Sequence, residues 1–170
     1  MRARRKACCF TGHRPEKLPW GTDEGDPRCI QLKDAIQDAV EAAYEEGYRH
    51  FICGMARGCD FYFAEAVLAL RAERTDITLE AAIPCPTQSR AWPEEDRRRW
   101  QALVDRCDYE TMVQGQYTLD CMHRRNRYMV DHSGLIIAVY DGAEGGTRRT
   151  LEYAMRKKVL FLDIRPEGLE

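Results

Sequence analysis

No Cys-x-x-Cys pair occurs in these 170 residues, although eight cysteines are present, at positions 8, 9, 29, 53, 59, 85, 107 and 121. Structural zinc sites and dithiol redox centres rest on that short spacing, so no metal is expected. The cysteines read instead as reduced, small, buried hydrophobes, several inside apolar runs such as Ala7-Cys-Cys-Phe10 and Phe51-Ile-Cys53. No apolar run approaches the roughly 20 residues that a helical membrane span needs. The basic opening Met1-Arg-Ala-Arg-Arg-Lys6 is followed by too short an apolar stretch for a signal-peptide core. Neither sign of charge dominates, since 26 Lys and Arg face 28 Asp and Glu for a net charge of −2. That balance argues against nucleic acid held on a generally basic surface. Also missing are the dinucleotide fingerprint G-x-G-x-x-G, the P-loop, internal repeats and low-complexity linkers. These absences point to a cytoplasmic protein of one domain, residues 1–170, with self-association left open.

What is present is a steady alternation of short apolar runs and amphipathic stretches. Strands are expected at 7–11, 50–53, 77–83, 109–113, 135–140 and 159–164. Helices are expected at 29–46, 60–74, 93–107, 118–132 and 147–157. Gly47 suits a helix stop, and Pro93 suits a first helical position followed by Glu94, Glu95 and Asp96. The alternation implies a single doubly wound α/β domain around a mostly parallel sheet. Ligands of such sheets bind beyond the carboxyl ends of the strands.

The most informative of the loops there is Asp141-Gly-Ala-Glu-Gly-Gly-Thr147, between a strand and a helix. Glycines let backbone approach a ligand, and the first helical turn offers free N–H groups to an anion. Gly145, Gly146 and Thr147 are therefore candidate phosphate ligands, with Asp141 beside them. After the first strand, Gly12, His13 and Arg14 add close approach and a planar cation, the alternative being an ordinary polar loop with a surface arginine. After the second strand, Gly54-Met-Ala-Arg-Gly-Cys-Asp60 reads either as an anion nest or as a tight turn capped by Asp60. Gly54, Ala56, Arg57 and Gly58 are candidates from that loop. In the helix 118–132, Arg124 and Arg127 suit a solvated face, whereas Arg125 and Asn126 can face the ligand edge. Arg97-Arg-Arg99 reads as a solvent-facing charge run.

Catalytic signals are sparse. The four histidines are scattered, and nothing pairs a nucleophile with a base. Glu65 is the only charge in the apolar stretch 61–70, so it needs a cation, a donor or the ligand, or else forms a salt bridge at the helix edge. If there is chemistry, Glu65, Glu152 or Asp141 is the candidate for acid/base work, and Arg125 the candidate arginine that holds the anion.

Together these motifs resemble the SLOG superfamily of Rossmann-like domains, and most closely its YpsA-like branch. The likeness rests on Thr11-Gly-His-Arg14, on Gly54-Met-Ala-Arg-Gly-Cys-Asp60, and on Arg125-Asn126 upstream of Asp141-Gly142 and Gly145-Gly-Thr147. The second motif is similar to the Ser-Gly-x-Ala-x-Gly-x-Asp loop of the DprA family of DNA-processing proteins. The resemblance implies a nucleotide or nucleotide-derived ligand, bound by a sensor or adaptor, with no certain cofactor. LOG-type phosphoribohydrolases in the superfamily cut the N-glycosidic bond of nucleoside monophosphates. Their Met-His-x-Arg-Lys motif matches Met122-His-Arg-Arg125, with Asn126 in place of lysine. Their Pro-Gly-Gly-x-Gly-Thr-x-x-Glu motif departs, because Thr150 stands where the glutamate belongs. Glu152 lies two residues on, about 200° around a helix, and cannot simply replace it. Binding is thus the first expectation, nucleoside-monophosphate hydrolysis the second and single-stranded nucleic acid the third. Arg14, Arg57, Arg124, Arg125 and Arg127 are the residues that can build a local patch for the last.

Overall fold

The structure is a computed structural model and describes residues 7–166; the basic opening segment lies outside them. Six strands run β1 (Ala7–Thr11), β2 (His50–Cys53), β3 (Thr78–Ile83), β4 (Tyr109–Met112), β5 (Leu135–Val139) and β6 (Leu160–Ile164). Five helices join them: α1 (Pro27–Glu45), α2 (Cys59–Glu73), α3 (Glu94–Arg106), α4 (Cys121–Asp131) and α5 (Gly146–Arg156). One 3-10 turn, Pro15–Lys17, follows β1. All strand pairs are parallel, in the order β4-β3-β2-β1-β5-β6.

Strand side chains alternate between two cores, as the period of two requires. Cys8, Phe10, Phe51, Cys53, Leu79, Ala81, Ile83, Ile137 and Val139 face the core shared with α1, α2 and α3. Ala7, Cys9, Ile52, Ala82, Ile136 and Ala138 face the smaller core under α4 and α5. Phe10 stacks on Phe63 of α2 with ring centroids 4.8 Å apart. Burying each such ring contributes about 1.5–3 kcal/mol. The described cysteines are all free thiols, and only Cys107 is not fully buried.

Most boundaries fall within two residues of expectation. α1 begins at Pro27 because Asp26 caps it, its Oδ1 accepting the Arg28 N–H at 2.8 Å. α4 starts later than expected, at Cys121, because residues 118–120 form a turn closed by Thr118 Oγ1 donating to Asp120 at 2.7 Å. Pro93 caps α3 rather than opening it. Asp60 is not a cap either: Gly58 holds that place in α2, with a φ of 85°. A Cβ at Gly58 would stand 2.9 Å from the His13 carbonyl oxygen, so the turn needs glycine there.

α4 is tied to the sheet by a polar cluster in the smaller core. Glu80 Oε2 accepts from Tyr128 at 2.6 Å and from Thr111 at 2.9 Å, while Oε1 lies 2.7 Å from His50 Nε2. Burial raises the Glu80 pKa, but the bonds from His50, Tyr128 and Thr111 outweigh it, leaving the carboxyl below its ordinary value. No described helix is long and apolar enough to cross a membrane.

Candidate functional site

The sheet order reverses between β1 and β5, which lie side by side with Thr11 opposite Ala138. The chain leaves β1 toward one face and β5 toward the other, so their loops part and leave a crevice. A cleft of about 420 Å³ opens there. Gly12, His13 and Arg14 line one side, Gly145, Gly146 and Thr147 another, and Arg125 and Asn126 of α4 a third. Ala56 and Asp60 close the floor. Phe10, Met122, Met129 and Leu119 add apolar surface.

Arg125 is the unusual group, only 4 % exposed and without a carboxylate at ion-pair distance among the described residues. Its Nη1 donates to the Gly54 carbonyl, its Nε donates to Asn126 Oδ1 at 2.7 Å, and its Nη2 meets only the Met122 thioether at 3.7 Å. A guanidinium carries five N–H donors, so two remain without a partner. Gly54 makes this placement feasible, because a Cβ there would stand 2.7 Å from Nη1. The Gly54 carbonyl also accepts from the buried Gln88 Nε2 at 2.9 Å, and Gln88 in turn accepts from Trp100 at 3.0 Å. Burial lowers the Arg125 pKa and the nearby Asp60 carboxylate offsets part of that. Asp60 is itself pushed up to about 6 by burial, against the pull of Arg125, the Ala56 N–H bond at 3.0 Å and Arg14. A buried cation with unused donors attracts an anion.

The β5–α5 loop supplies further donors. Gly142 and Gly145 take φ of 90° and 144°, which favour glycine. No side chain caps α5, so its first N–H groups have no protein partner. Thr147 is buried at this end. Lys17, from the unforeseen 3-10 turn, lines the cleft and donates to the Glu144 carbonyl at 3.2 Å. Asp141 Oδ1 accepts the Ala143 N–H at 2.9 Å and lies 3.2 Å from His13 Nε2. The His13 contact is off the line of a hydrogen bond, which leaves this buried nitrogen without an aligned partner. The Ala143 bond first, and His13 after it, hold the Asp141 carboxyl below its ordinary value. Asp141 therefore shapes the loop from just outside the cleft.

Five other candidates lie elsewhere. Arg57 turns away to Glu16 at 2.5 Å and Asp96 at 3.3 Å, so its charge is already matched. Gly54 and Gly58 sit behind the cleft wall, as spacers for Arg125 and for the His13 carbonyl. Glu65 pairs with Arg99 at 2.6 Å on the far face, which is the salt bridge at the helix edge. Arg99 also binds Glu24 and is only 26 % exposed, so the arginine run is not wholly solvent-facing. Glu152 lies outside the cleft and pairs with Arg148 at 3.0 Å. Thr150 is buried and donates to the Gly146 carbonyl at 2.8 Å. Asp60, Lys17, Glu16, His123 and Glu144 are polar cleft residues that the sequence reading did not place in the site. The spacing of Asp60 had suggested a cap, and the Pro15-Glu-Lys17 turn carried no charge pattern of its own.

A family model, YpsA, matches residues 8–160 and so takes in every cleft residue. The chain belongs to the YspA SLOG family. Within this SLOG fold, the SPbeta prophage-derived protein YoqJ of Bacillus subtilis (strain 168) is 30% identical over 145 residues, 77% of this chain and 84% of that protein. A UPF0398 protein of Bacillus thuringiensis (strain Al Hakam) is 24% identical over 156 residues, 90% of this chain and 84% of that one. Among solved structures, DNA processing protein A (DprA) from Streptococcus pneumoniae aligns with a TM-score of 0.62 at 15% identity, covering 95% of this chain and 50% of that one. DprA from Helicobacter pylori, solved for its single-stranded DNA binding mode, aligns with a TM-score of 0.62 at 13% identity, covering 95% of this chain and 66% of that one. This SLOG chain thus shares the fold with DprA while spanning about half the length of the pneumococcal protein.

Proposed function

We propose that this SLOG protein binds a nucleotide or nucleotide-derived phosphorylated small molecule in the β1–β5 crevice, as a sensor or adaptor. The buried Arg125, with unused donors at the cleft wall, is the observation that carries the reading. A phosphate set on the Gly145–Thr147 backbone meets the uncapped end of α5, with Arg125 and Arg14 at hand for its charge. Arg14 is exposed and has no carboxylate at ion-pair distance among the described residues. The apolar surface of Met122, Met129 and Leu119 suits a base or sugar. The test is calorimetric titration and thermal shift with AMP, ADP-ribose, NAD and cyclic dinucleotides. Binding of at least one, weakened tenfold or more in Arg125→Lys, is expected. A flat response to the whole panel overturns the reading.

One observation favours hydrolysis as a second reading. Asp60 is a cleft carboxyl pushed up to about 6 by burial, the range in which an acid can give up a proton near neutral pH. Release of free base from nucleoside monophosphates, lost in Asp60→Asn, would support turnover. No release from AMP, GMP, CMP or UMP leaves binding as the function.

A further inference from the structure

A second depression of about 350 Å³ lies between α4 and α5, next to the cleft. His123 and Asn126 line both, so the two share a wall. Arg127, Arg149 and Arg156 line the second. None of the three has a carboxylate at ion-pair distance among the described residues. Both acidic residues of the groove are already committed: Asp120 to Arg124 at 3.0 Å, and Glu152 to Arg148 at 3.0 Å. Arg149 Nη1 lies 2.6 Å from His123 Nε2, and Arg156 lies over the Tyr153 ring at 5.8 Å. Burial first, then Arg149, Arg127 and Arg125, lower the His123 pKa, which leaves the ring neutral at neutral pH and able to accept from Arg149. Asn126 spends its Oδ1 on Arg125, and its amide donors have no protein partner on the shared wall.

Arg127, Arg149 and Arg156 are all exposed, so water solvates each, but three like charges around one groove still repel one another. Their cost falls when an anion lies among them. Arg149 and His123 also line a depression with Gly145 and Gly146, so Arg149 stands between the two places, whereas Arg127 and Arg156 line neither the cleft nor that depression. We propose that the ligand carries two phosphates set apart by a sugar, one at the Gly145–Thr147 loop and the other in the α4–α5 groove on Arg127 and Arg156, with Arg149 between them. The chemical class is a nucleoside bearing both a 5′- and a 3′-phosphate group, free or as a unit of a short single strand. The inference rests on the nucleotide reading of the cleft and specifies it further.

The full chain is titrated with the four nucleoside 5′-monophosphates, the matching 3′,5′-bisphosphates and a dT12 strand, at fixed salt. The best bisphosphate should bind about tenfold more tightly than its monophosphate. In Arg127→Gln/Arg156→Gln that advantage should disappear while monophosphate affinity holds, since neither side chain lines the cleft. Equal affinity for the two ligand types in the unaltered chain overturns the proposal. So does an advantage that survives the double substitution. dT12 binding that depends on the same arginines assigns the second phosphate to a strand, and binding confined to the bisphosphates assigns it to a free small molecule. Failure of every monophosphate and bisphosphate to bind removes the nucleotide reading itself, a result distinct from monophosphate binding without a bisphosphate gain.

Discussion

The guanidinium of Arg125 lies against the backbone of Gly54 so closely that a methyl group on residue 54 would sit 2.7 Å from Nη1, 2.8 Å from Cζ and 2.9 Å from Nε. These are positions 71 residues apart in the chain, one at the end of β2 and the other in α4. The glycine is what lets the arginine reach the cleft wall.

Gly54→Ala should therefore act as a partial Arg125 deletion. It forces the guanidinium off the Gly54 carbonyl and leaves Asp60 without its nearby cation. A loss of about 2–4 kcal/mol in stability is expected, with anion affinity down by more than tenfold. Urea unfolding and calorimetric titration check the two parts. Wild-type affinity in a folded Gly54→Ala protein would contradict the assignment of Arg125 to the ligand.

Asp60 yields a signed pH dependence. Its folded pKa, about 6, lies above the ordinary value of 3.8, so the folded state binds more protons between those values. The group's contribution to stability is complete below about pH 4 and is lost as pH rises through about 6, at most about 3 kcal/mol in all. Asp60→Asn should flatten that slope in pH-dependent urea unfolding. Anion affinity should follow the same group, because a neutral Asp60 no longer screens Arg125. The affinity of the unaltered chain for phosphate ligands, relative to that of Asp60→Asn at the same pH, should therefore rise from pH 7.5 to pH 5.5. Parallel pH profiles for the two proteins would contradict this, since titration of the phosphate is common to both.

Glu80 titrates with the opposite sense. Its folded pKa is below the ordinary 4.5, so its stabilisation is present above that value and lost as pH falls through the lower folded value. Glu80→Gln or Tyr128→Phe removes the bond that ties α4 to β3. Each should cost about 1–3 kcal/mol. Because α4 carries Arg125, ligand affinity should also fall. An unchanged acid-unfolding curve in Glu80→Gln would show that the cluster does not report on stability.

Gly145→Ala separates backbone from side-chain effects at the phosphate loop. The φ of 144° strains any L side chain, and the added Cβ meets Lys17 Nζ at 2.5 Å. The lysine can swing away, so the cost is mainly backbone strain of about 1–3 kcal/mol. Binding should weaken with it, and Lys17→Ala in the same chain should not restore it. Full recovery in the double variant would assign the effect to the steric clash instead.

The elements were readable because each obeys a local rule: apolar runs of strand length, helix faces at 3.6-residue spacing, and Gly or Pro punctuation. The loops at the strand ends were readable for the same reason, since glycine and arginine stand out against the apolar strands. Direction and counter-charge were not. Nothing near Arg57 in the sequence shows that Glu16 and Asp96 neutralise it, and nothing near Glu65 names Arg99. Asp60 had the local pattern of a cap and became a buried carboxyl under a cation, because α2 starts a residue before it, at Cys59.

From the sequence alone came the alternating α/β plan, the reduced cysteines, and Gly145-Gly-Thr147 and Arg125 as the groups to watch. These depend on residue type and spacing over a few turns of chain. Only the tertiary structure decided which cations are free, that Gly54 is a bed for Arg125, and that the cleft continues into an arginine-lined groove. Charge compensation and close approach are made between segments far apart in sequence, where no local rule reaches.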